Sequence, residues 1–259
     1  MKTAVLFLSH LTEWFCFQRY EKLVNAVGEE YDVFWAFQAD GGANDQQLLE
    51  RGVNLFRFTV DDLNQLGYTP IAQTLIPGSV HFIAAWFFRQ HPDYDYYWTI
   101  EYDVVFTGTW STFFDSFRCD DADLLASHIE LWNEMNAQWA WWKSLSVPQE
   151  AETVYQHRVK CFAPVYRLSK RSLLFLDDCL QQEGYSGHME VLLPTLLCNG
   201  FRIEDYGGTG PFTRQSLRNR FYVEGAGVNN GTMRWRPIFL QEEIEALGVK
   251  DKLFHPVKA

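Results

Sequence analysis

The sequence predicts an α/β fold with a mostly parallel central sheet and helices on both of its faces. Three observations lead to this prediction. Continuous apolar runs typical of buried strands alternate with segments of helical periodicity. The length of 259 residues suits one large domain, and no linker-like stretch divides the chain. The contents of 47 % hydrophobic and 21 % charged residues are typical of a globular protein.

Continuous apolar runs predict the strands. The first run, from Thr3 to Ser9, shows no alternation of apolar and polar residues, which is the pattern of a strand buried on both faces. Similar runs follow at intervals that leave room for helices between them. The predicted strands are residues 3–9, 31–37, 54–60, 94–100, 123–127, 162–166 and 201–205.

Helical spacing of apolar residues predicts what lies between the strands. The first such segment ends before Gly28, and the third opens at Pro77-Gly78-Ser79 and closes at His91-Pro92. The predicted helices are residues 13–27, 45–51, 79–90, 109–117, 169–182 and 188–198. The chain after Gly207 is rich in Gly, Arg and Asn, which predicts loops that wrap a site rather than a further core.

The charge distribution excludes one large class of partner. The formal net charge of −11 disfavours general nucleic-acid binding, which needs a basic surface. Residues 1–200 hold 13 basic and 26 acidic side chains, whereas residues 201–259 hold 9 and 7. The basic side chains are therefore relatively concentrated towards the C-terminus.

The cysteines and the lengths of the apolar runs bear on the cellular location of the protein. The five cysteines are odd in number and lack CxxC spacing, which disfavours a disulfide framework and a zinc site. The longest apolar runs, such as residues 83–88, are far shorter than the roughly 20 residues of a membrane span. The short apolar stretch at residues 4–8 lacks the features of a signal peptide. We therefore expect a cytoplasmic protein without a membrane span.

Polar residues follow several predicted strands, at the sheet edge where ligands bind in open parallel sheets. Ser9, His10 and Asp40 follow the first two strands, and Glu101 and Asp103 follow the fourth. In an extended backbone, positions i and i+2 point the same way, so the two acids could face one site. Two carboxylates there suit Mg²⁺ or Mn²⁺. The alternative is two solvated acids that end a strand.

The order of elements over about residues 3–205 resembles that of GT-A-fold nucleotide-sugar glycosyltransferases. In that family an Asp-x-Asp triplet, or a variant of it, follows about the fourth strand and binds a divalent metal and the donor. About a dozen residues, Tyr97-Trp98-x-x-Glu101-x-Asp103-Val104-x-Phe106-Thr107-Gly108, also resemble the motif of a glycosyltransferase-like family known mainly from fungi. Glu101 stands where Asp is usual, and some GT-A families replace the metal by Arg and Lys side chains.

The resemblance implies a single GT-A-like, Rossmann-like domain over residues 1–259. Residues of about 1–108 would form the nucleotide-binding part, and residues of about 109–259 the acceptor part and the C-terminal tail. By their place in the chain, Ser9, His10 and Asp40 would then meet the nucleobase and ribose.

The C-terminus carries two residues that fit roles known from the same family. GT-A enzymes often have a late histidine that completes the metal shell, with a basic side chain on the diphosphate. His255 and Lys258 fit those roles, since imidazole binds Mn²⁺ and lysine supplies a point charge for phosphate. The alternative is an ordinary solvated tail. Five arginines offer further positive charge for the diphosphate: Arg214, Arg218, Arg220, Arg234 and Arg236.

Glu190 is the candidate general base. It is expected near the start of a helix that follows Gly187-His188, and inverting GT-A enzymes have an acidic residue near this point in the chain. The alternative is a carboxylate that only favours the helix dipole, and we interpret His188 as a turn residue. Four tryptophans form either a core face or an acceptor-sugar platform: Trp132, Trp139, Trp141 and Trp142.

The favoured function is transfer of a sugar from a nucleotide-diphosphate donor to a glycan or other hydroxyl acceptor. A UDP-sugar is the expected donor, and Mn²⁺ or Mg²⁺ the expected cofactor, held by Asp103, His255 and Glu101. One alternative is a non-catalytic protein that binds nucleotide sugars or glycans. Another is a metal-dependent nucleotidyltransferase or phosphohydrolase, which the lack of an early Gly-rich phosphate loop disfavours. The sequence does not predict an oligomeric state.

Overall fold

The computed structural model describes residues 1–39, 42–72, 75, 77–148, 157–225 and 231–258. The described residues form eleven strands: β1 (Thr3–Leu8), β2 (Tyr31–Gln38), β3 (Leu55–Phe58), β4 (Tyr96–Glu101), β5 (Val105–Phe106), β6 (Leu124–Leu131), β7 (Val159–Ser169), β8 (Ile203–Asp205), β9 (Phe239–Leu240), β10 (Leu253–Phe254) and β11 (Val257–Lys258). Seven of them form one sheet in the order β3-β2-β1-β4-β7-β6-β8.

The sheet is mixed but mostly parallel, as the sequence predicts. Strands β3, β2, β1 and β4 run parallel to one another, and β8 runs parallel to β6. Only β7 is antiparallel to its neighbours, β4 and β6. Because β1 lies between β2 and β4, Leu8 is in register with both Ala36 and Glu101, so the ends of these three strands meet at one edge.

Helices cover both faces of the sheet, which confirms the predicted fold class. They are α1 (Trp14–Val24), α2 (Ala43–Glu50), α3 (Val60–Asn64), α4 (His81–Gln90), α5 (Trp110–Asp115), α6 (Lys170–Leu180), α7 (Met189–Leu197) and α8 (Gln241–Leu247), with short 3₁₀ helices at Ala140–Ser144 and Gln215–Leu217. Alternate residues of β1 divide between two cores. Ala4 and Leu6 pack with α4, α6 and α7, whereas Val5 and Phe7 pack with α1 and α5.

Several element bounds differ from the sequence prediction, each for a local reason. Val60 was expected at the end of a strand but begins α3, because Thr59 and Asp62 form a reciprocal capping box. Strands β6 and β7 are longer than predicted. Their polar residues Glu130 and Lys160 are paired across the two strands, so charge does not mark a strand end here.

The chain after Gly207 is more ordered than the predicted loops. It contains α8, which buries Ile244 in a small core with Phe239, Phe254 and Val257. Strand β10 pairs antiparallel with β5, and β11 pairs parallel with β9. These short pairings return the C-terminal segment to the end of β4. Among the described residues, no helix has both the length and the apolarity that crossing a bilayer requires.

Candidate active site

Glu101, Asp103 and His255 form a cluster where β4 ends. His255 Nε2 lies 3.3 Å from Glu101 Oε2 and 3.4 Å from Asp103 Oδ1. One ligand atom from each residue lies within 4.8 Å of the other two. The structure therefore brings together three residues from distant parts of the chain that the sequence analysis proposed as one metal site.

The two carboxylates converge by a different route from the one expected. Strand β4 ends at Glu101, and the Val104 N–H donates to the Glu101 carbonyl at 3.0 Å, which closes a turn. Asp103 therefore lies in a turn and not in an extended strand, so the same-side argument for positions i and i+2 does not apply. The tail completes the geometry, because the Val257 N–H donates to the Asp103 carbonyl at 2.8 Å.

The electrostatics of the cluster keep the Asp103 carboxyl charged. Burial raises its pKa, but the hydrogen bond and charge of His255 and the charge of Lys258 outweigh burial and lower it. Lys258 Nζ lies 3.4 Å from Asp103 Oδ2 and donates to the Tyr102 hydroxyl at 3.0 Å. Burial lowers the pKa of His255, yet Asp103 and Glu101 raise it overall to about 9.

The donor set fits a divalent cation. Two carboxylates and an imidazole are ligands that Mn²⁺ accepts, and carboxylates also suit Mg²⁺. Asp103 Oδ1 is buried, and its contact with His255 Nε2 at 3.4 Å is longer than an ordinary charge-assisted hydrogen bond, so a cation would satisfy this oxygen better. His255 Nδ1 donates to the Arg234 carbonyl at 2.8 Å, so that Nε2 is the nitrogen that faces the carboxylates.

A cavity of about 380 Å³ adjoins the cluster at the ends of β1, β2 and β4. Glu101, Asp103, Ser9 and His10 all line it, together with apolar residues from β1 to α4. The Ser9 hydroxyl already donates to the Leu11 carbonyl at 2.7 Å, so it is committed to a local turn. The third predicted nucleoside contact, Asp40, lies outside the described residues.

A second cavity, of about 680 Å³, lies beside the same cluster. Phe162 and Arg234 line it, and both contact His255: the Phe162 ring centroid is 5.3 Å from that of His255. Its polar lining includes Glu130 and Lys160, whose Nζ donates to Glu130 Oε1 at 2.9 Å. Two residues of the cluster thus line the first cavity, and the third contacts residues that line the second. Each cavity has the size that binds small molecules.

Glu190 lies in this second cavity, near the start of α7 as predicted. Its Oε1 accepts a hydrogen bond from the Ala163 N–H at 3.0 Å, and its side chain is only 15 % exposed. Burial raises the pKa of Glu190 to about 7, and the charge of Glu101 acts in the same direction. A carboxyl group that titrates near neutral pH is suited to accept a proton from a substrate.

The four tryptophans lie in different surroundings. Trp142 is buried, and its Nε1 donates to the Asn136 carbonyl at 2.8 Å, which makes it a core residue. Trp139 lines the second cavity, whereas Trp132 is exposed on the surface. Trp141 stacks on His188 with ring centroids 4.4 Å apart. Among these four tryptophans, Trp139 is the one found in the lining of the second cavity, as far as the described residues show.

The arginines of the tail do not converge on the cluster. Arg214 pairs with the buried Asp120 and with Glu204, so it belongs to a structural ion-pair network. Arg234 contributes its backbone carbonyl to His255. The remaining three, Arg218, Arg220 and Arg236, are exposed. Lys258 is the tail cation that contacts the cluster in the described part of the chain.

Two residues of the site were not predicted. Tyr102 lines the first cavity, and its hydroxyl accepts the hydrogen bond from Lys258. Its place between the two acids was a signal that the sequence analysis did not use. Lys160 is a buried cation in the second cavity, and nothing in its strand sequence marks it, because its importance depends on the cross-strand partner Glu130.

No protein-family model and no curated protein sequence matches this chain. The solved structures that are similar to it in fold include the following three. A galactosyltransferase with donor and acceptor sugar analogues is 10 % identical, with 96 % of this chain and 79 % of that chain covered and a TM-score of 0.47. A CMP:2-keto-3-deoxy-manno-octonic acid synthetase with CTP is 11 % identical (82 % and 94 % covered, TM-score 0.45). Mouse xyloside xylosyltransferase 1 is 12 % identical (75 % and 80 % covered, TM-score 0.36). All three are distant likenesses.

Proposed function

We propose that this protein transfers a sugar from a nucleotide-diphosphate sugar, with a UDP-sugar as the expected donor, to a hydroxyl acceptor. The observation that carries the proposal is the cluster of Glu101, Asp103 and His255. Its two acids line the first cavity, and its histidine contacts residues that line the second. These three residues would hold a divalent cation at the edge of the first cavity, where it would supply positive charge to a donor. Mn²⁺ suits the imidazole ligand best, and Mg²⁺ is the alternative.

The first cavity is the proposed donor site. It is lined entirely by residues between Leu8 and Asp103, whereas the second is lined by residues between His128 and Arg234. This division supports a single domain with a nucleotide-binding part of about residues 1–108 and an acceptor part of about residues 109–259. In the proposed assignment Ser9, His10 and Asp40 contact the nucleoside.

Charge at the donor diphosphate comes from two sources in this proposal. A bound divalent cation supplies positive charge to the departing diphosphate. Lys258, 3.4 Å from Asp103, supplies a second positive charge beside it. Stabilisation of charge that develops in the transition state is usually the largest contribution to catalysis of this kind.

The second cavity is the proposed acceptor site, with Glu190 as the general base of an inverting transfer. Glu190 accepts the proton of the acceptor hydroxyl, and the acceptor oxygen forms a bond to the anomeric carbon. The bond from that carbon to the diphosphate oxygen breaks, and its electron pair leaves on the nucleoside diphosphate. The Trp139 ring, which lines the cavity, offers an apolar face to an acceptor sugar.

Thermal unfolding with UDP-, GDP-, CMP- and ADP-sugars, each with Mn²⁺ or with EDTA, tests the donor assignment. A ligand that binds only the folded state raises Tm by mass action. One nucleotide class should raise Tm in a Mn²⁺-dependent manner, and Asp103→Asn should lose this effect. Asp178→Asn, which alters an exposed acid on α6, should retain it.

The product identifies the reaction. Nucleoside diphosphate release that depends on a hydroxyl acceptor supports sugar transfer. Release of pyrophosphate or phosphate would instead assign a nucleotidyltransferase or a phosphohydrolase, and donor binding without any release would assign a binding protein. Wild-type turnover in Asp103→Asn would contradict the proposed site.

We also propose a cytoplasmic location. All five cysteines are free thiols in the structure, and unpaired cysteines are typical of reducing compartments. The net charge of −11 agrees with small-molecule partners rather than nucleic acid. Fractionation of cells that express the chain with a detectable tag tests the location.

A further inference from the structure

Arg19, on helix α1, connects the two chain segments that carry the cluster. Its Nη1 donates to the Tyr102 carbonyl at 2.8 Å and to the Val257 carbonyl at 3.3 Å. Tyr102 stands between Glu101 and Asp103, and Val257 lies between His255 and Lys258. One side chain from a third part of the chain is therefore bonded to the backbone of both segments.

These two bonds constrain geometry because they share one nitrogen. A single nitrogen can reach both carbonyl oxygens only while the two segments stay close together. The backbone bond from the Val257 N–H to the Asp103 carbonyl, 2.8 Å long, joins the same segments from the tail side. The turn after β4 and the C-terminal segment are therefore joined twice, once by this backbone hydrogen bond and once by the Arg19 side chain.

Arg19 has no ion pair in the described part of the chain that would account for its charge. Among the described residues, no carboxylate lies within 4.0 Å of its guanidinium, although the side chain is partly buried. Besides the two carbonyls, the guanidinium lies over the Phe15 ring, 5.0 Å from its centroid, but it loses hydration without gaining an ion pair. An apolar side chain would pack α1 against the sheet at lower cost, so an arginine here suggests a role in the site.

We propose that Arg19 is a positioning residue, which holds Glu101 and Asp103 at the separation from His255 that a divalent cation needs. It touches none of the three side chains and acts through the backbone of Tyr102 and Val257. This inference rests on the metal site of the proposed function. Residues that orient metal ligands from outside the ligand set typically change metal affinity 10- to 100-fold when they are replaced.

Three variants separate this role from a general effect on the fold. Arg19→Met keeps the length of the side chain but removes its donors. Arg19→Lys keeps a charged nitrogen donor. Lys22→Met is the matched control, because Lys22 lies one turn along α1 and makes no hydrogen bond or ion pair to the described residues.

The first measurement is hydrogen exchange of the metal-free protein. Arg19→Met should speed exchange in a peptide that covers residues 252–258, where the Val257 N–H bonds to Asp103, and leave peptides of β1 and α4 unchanged. Lys22→Met should match the wild type, and Arg19→Lys should lie between the two. Equal exchange of residues 252–258 in Arg19→Met and the wild type would overturn the proposal, as would faster exchange throughout the chain.

The second measurement is the affinity for Mn²⁺ by calorimetry. Arg19→Met should bind Mn²⁺ roughly 10- to 100-fold more weakly, Arg19→Lys should recover most of the affinity, and Lys22→Met should be unchanged. Unchanged Mn²⁺ affinity in Arg19→Met would overturn the proposal even if exchange is faster. If the wild type does not bind Mn²⁺, the proposed metal site fails by itself, and the exchange result alone then decides whether Arg19 holds the two segments.

Discussion

Glu190 is a carboxyl group that the fold makes costly to ionise. Its pKa rises from an ordinary value of 4.5 to about 7 because it is buried. The folded state therefore holds the proton more strongly than the unfolded state does. The stability that this contributes is fully present below the unfolded pKa and is lost as the pH rises through the folded pKa.

Replacement of Glu190 by glutamine should remove this pH dependence. Between about pH 5 and pH 8, the free energy of unfolding of the wild type should fall relative to Glu190→Gln by on the order of 3 kcal/mol. Urea unfolding of both proteins in EDTA at the two pH values measures the difference. Parallel pH profiles for the two proteins would show that Glu190 is not perturbed.

Glu190 as a general base also predicts a pH profile of turnover. Only the ionised carboxylate accepts a proton, so turnover should rise with pH and level off above about 7. Glu190→Gln should lower turnover roughly 10²- to 10⁴-fold without a comparable loss of donor binding. Rates of nucleoside diphosphate release at a series of pH values check both points. A glutamine variant with wild-type turnover would leave Glu190 a structural residue.

At the scale of elements, α7 presents Glu190 through its first turn. His188 is the N-cap residue, and its Nδ1 accepts a hydrogen bond from the Glu190 N–H at 3.3 Å. His188→Ala should be less stable than His188→Asn by about 1 kcal/mol, because asparagine can still cap the helix whereas alanine cannot. Both variants lose the stacking on Trp141, so chemical unfolding of the pair isolates the cap. Equal stability of the two variants would show that the cap contributes nothing.

The sequence predicts long elements better than short ones. Strand β1 was predictable because its run is apolar throughout and the chain buries both of its faces. Helix α3 depends on one capping box. Strand β5 has only two residues, and they form a strand because β10 pairs with them. Local patterns are too short to signal such elements.

The same limit separates the predicted from the unpredicted parts of the site. Glu101 and Asp103 follow an apolar strand, which is a local signal, although their convergence depends on a turn. His255 has no local signal, and it was identified through the resemblance to a family. Arg19 acts through contacts at Tyr102 and Val257, both far away in sequence. Contacts between residues that are far apart in the sequence determine the roles of His255 and Arg19, and a local sequence pattern does not contain such contacts.

At the scale of the whole molecule, the cluster joins two regions that are distant in sequence, the end of β4 and the C-terminal segment. Ligands that bridge these regions should make them less mobile together. Mn²⁺ and the donor nucleotide should slow hydrogen exchange in peptides covering residues 101–106 and 252–258 at the same time, and leave residues 3–8 unchanged. Exchange mass spectrometry with and without ligands measures this, and His255→Gln should lose the protection of both peptides. Protection of only one segment would separate His255 from the acidic pair.

The return of the C-terminal segment has a consequence for biosynthesis. A ribosome has delivered every strand of the seven-stranded sheet by Asp205, yet His255 and Lys258 emerge only later. A nascent chain therefore contains every strand of the sheet well before it contains the complete cluster. Premature termination between these points would yield a chain that lacks His255 and Lys258, together with buried residues such as Leu253 that complete one of the two cores. Incomplete translation products should therefore lack the proposed metal site, whatever part of the fold they reach.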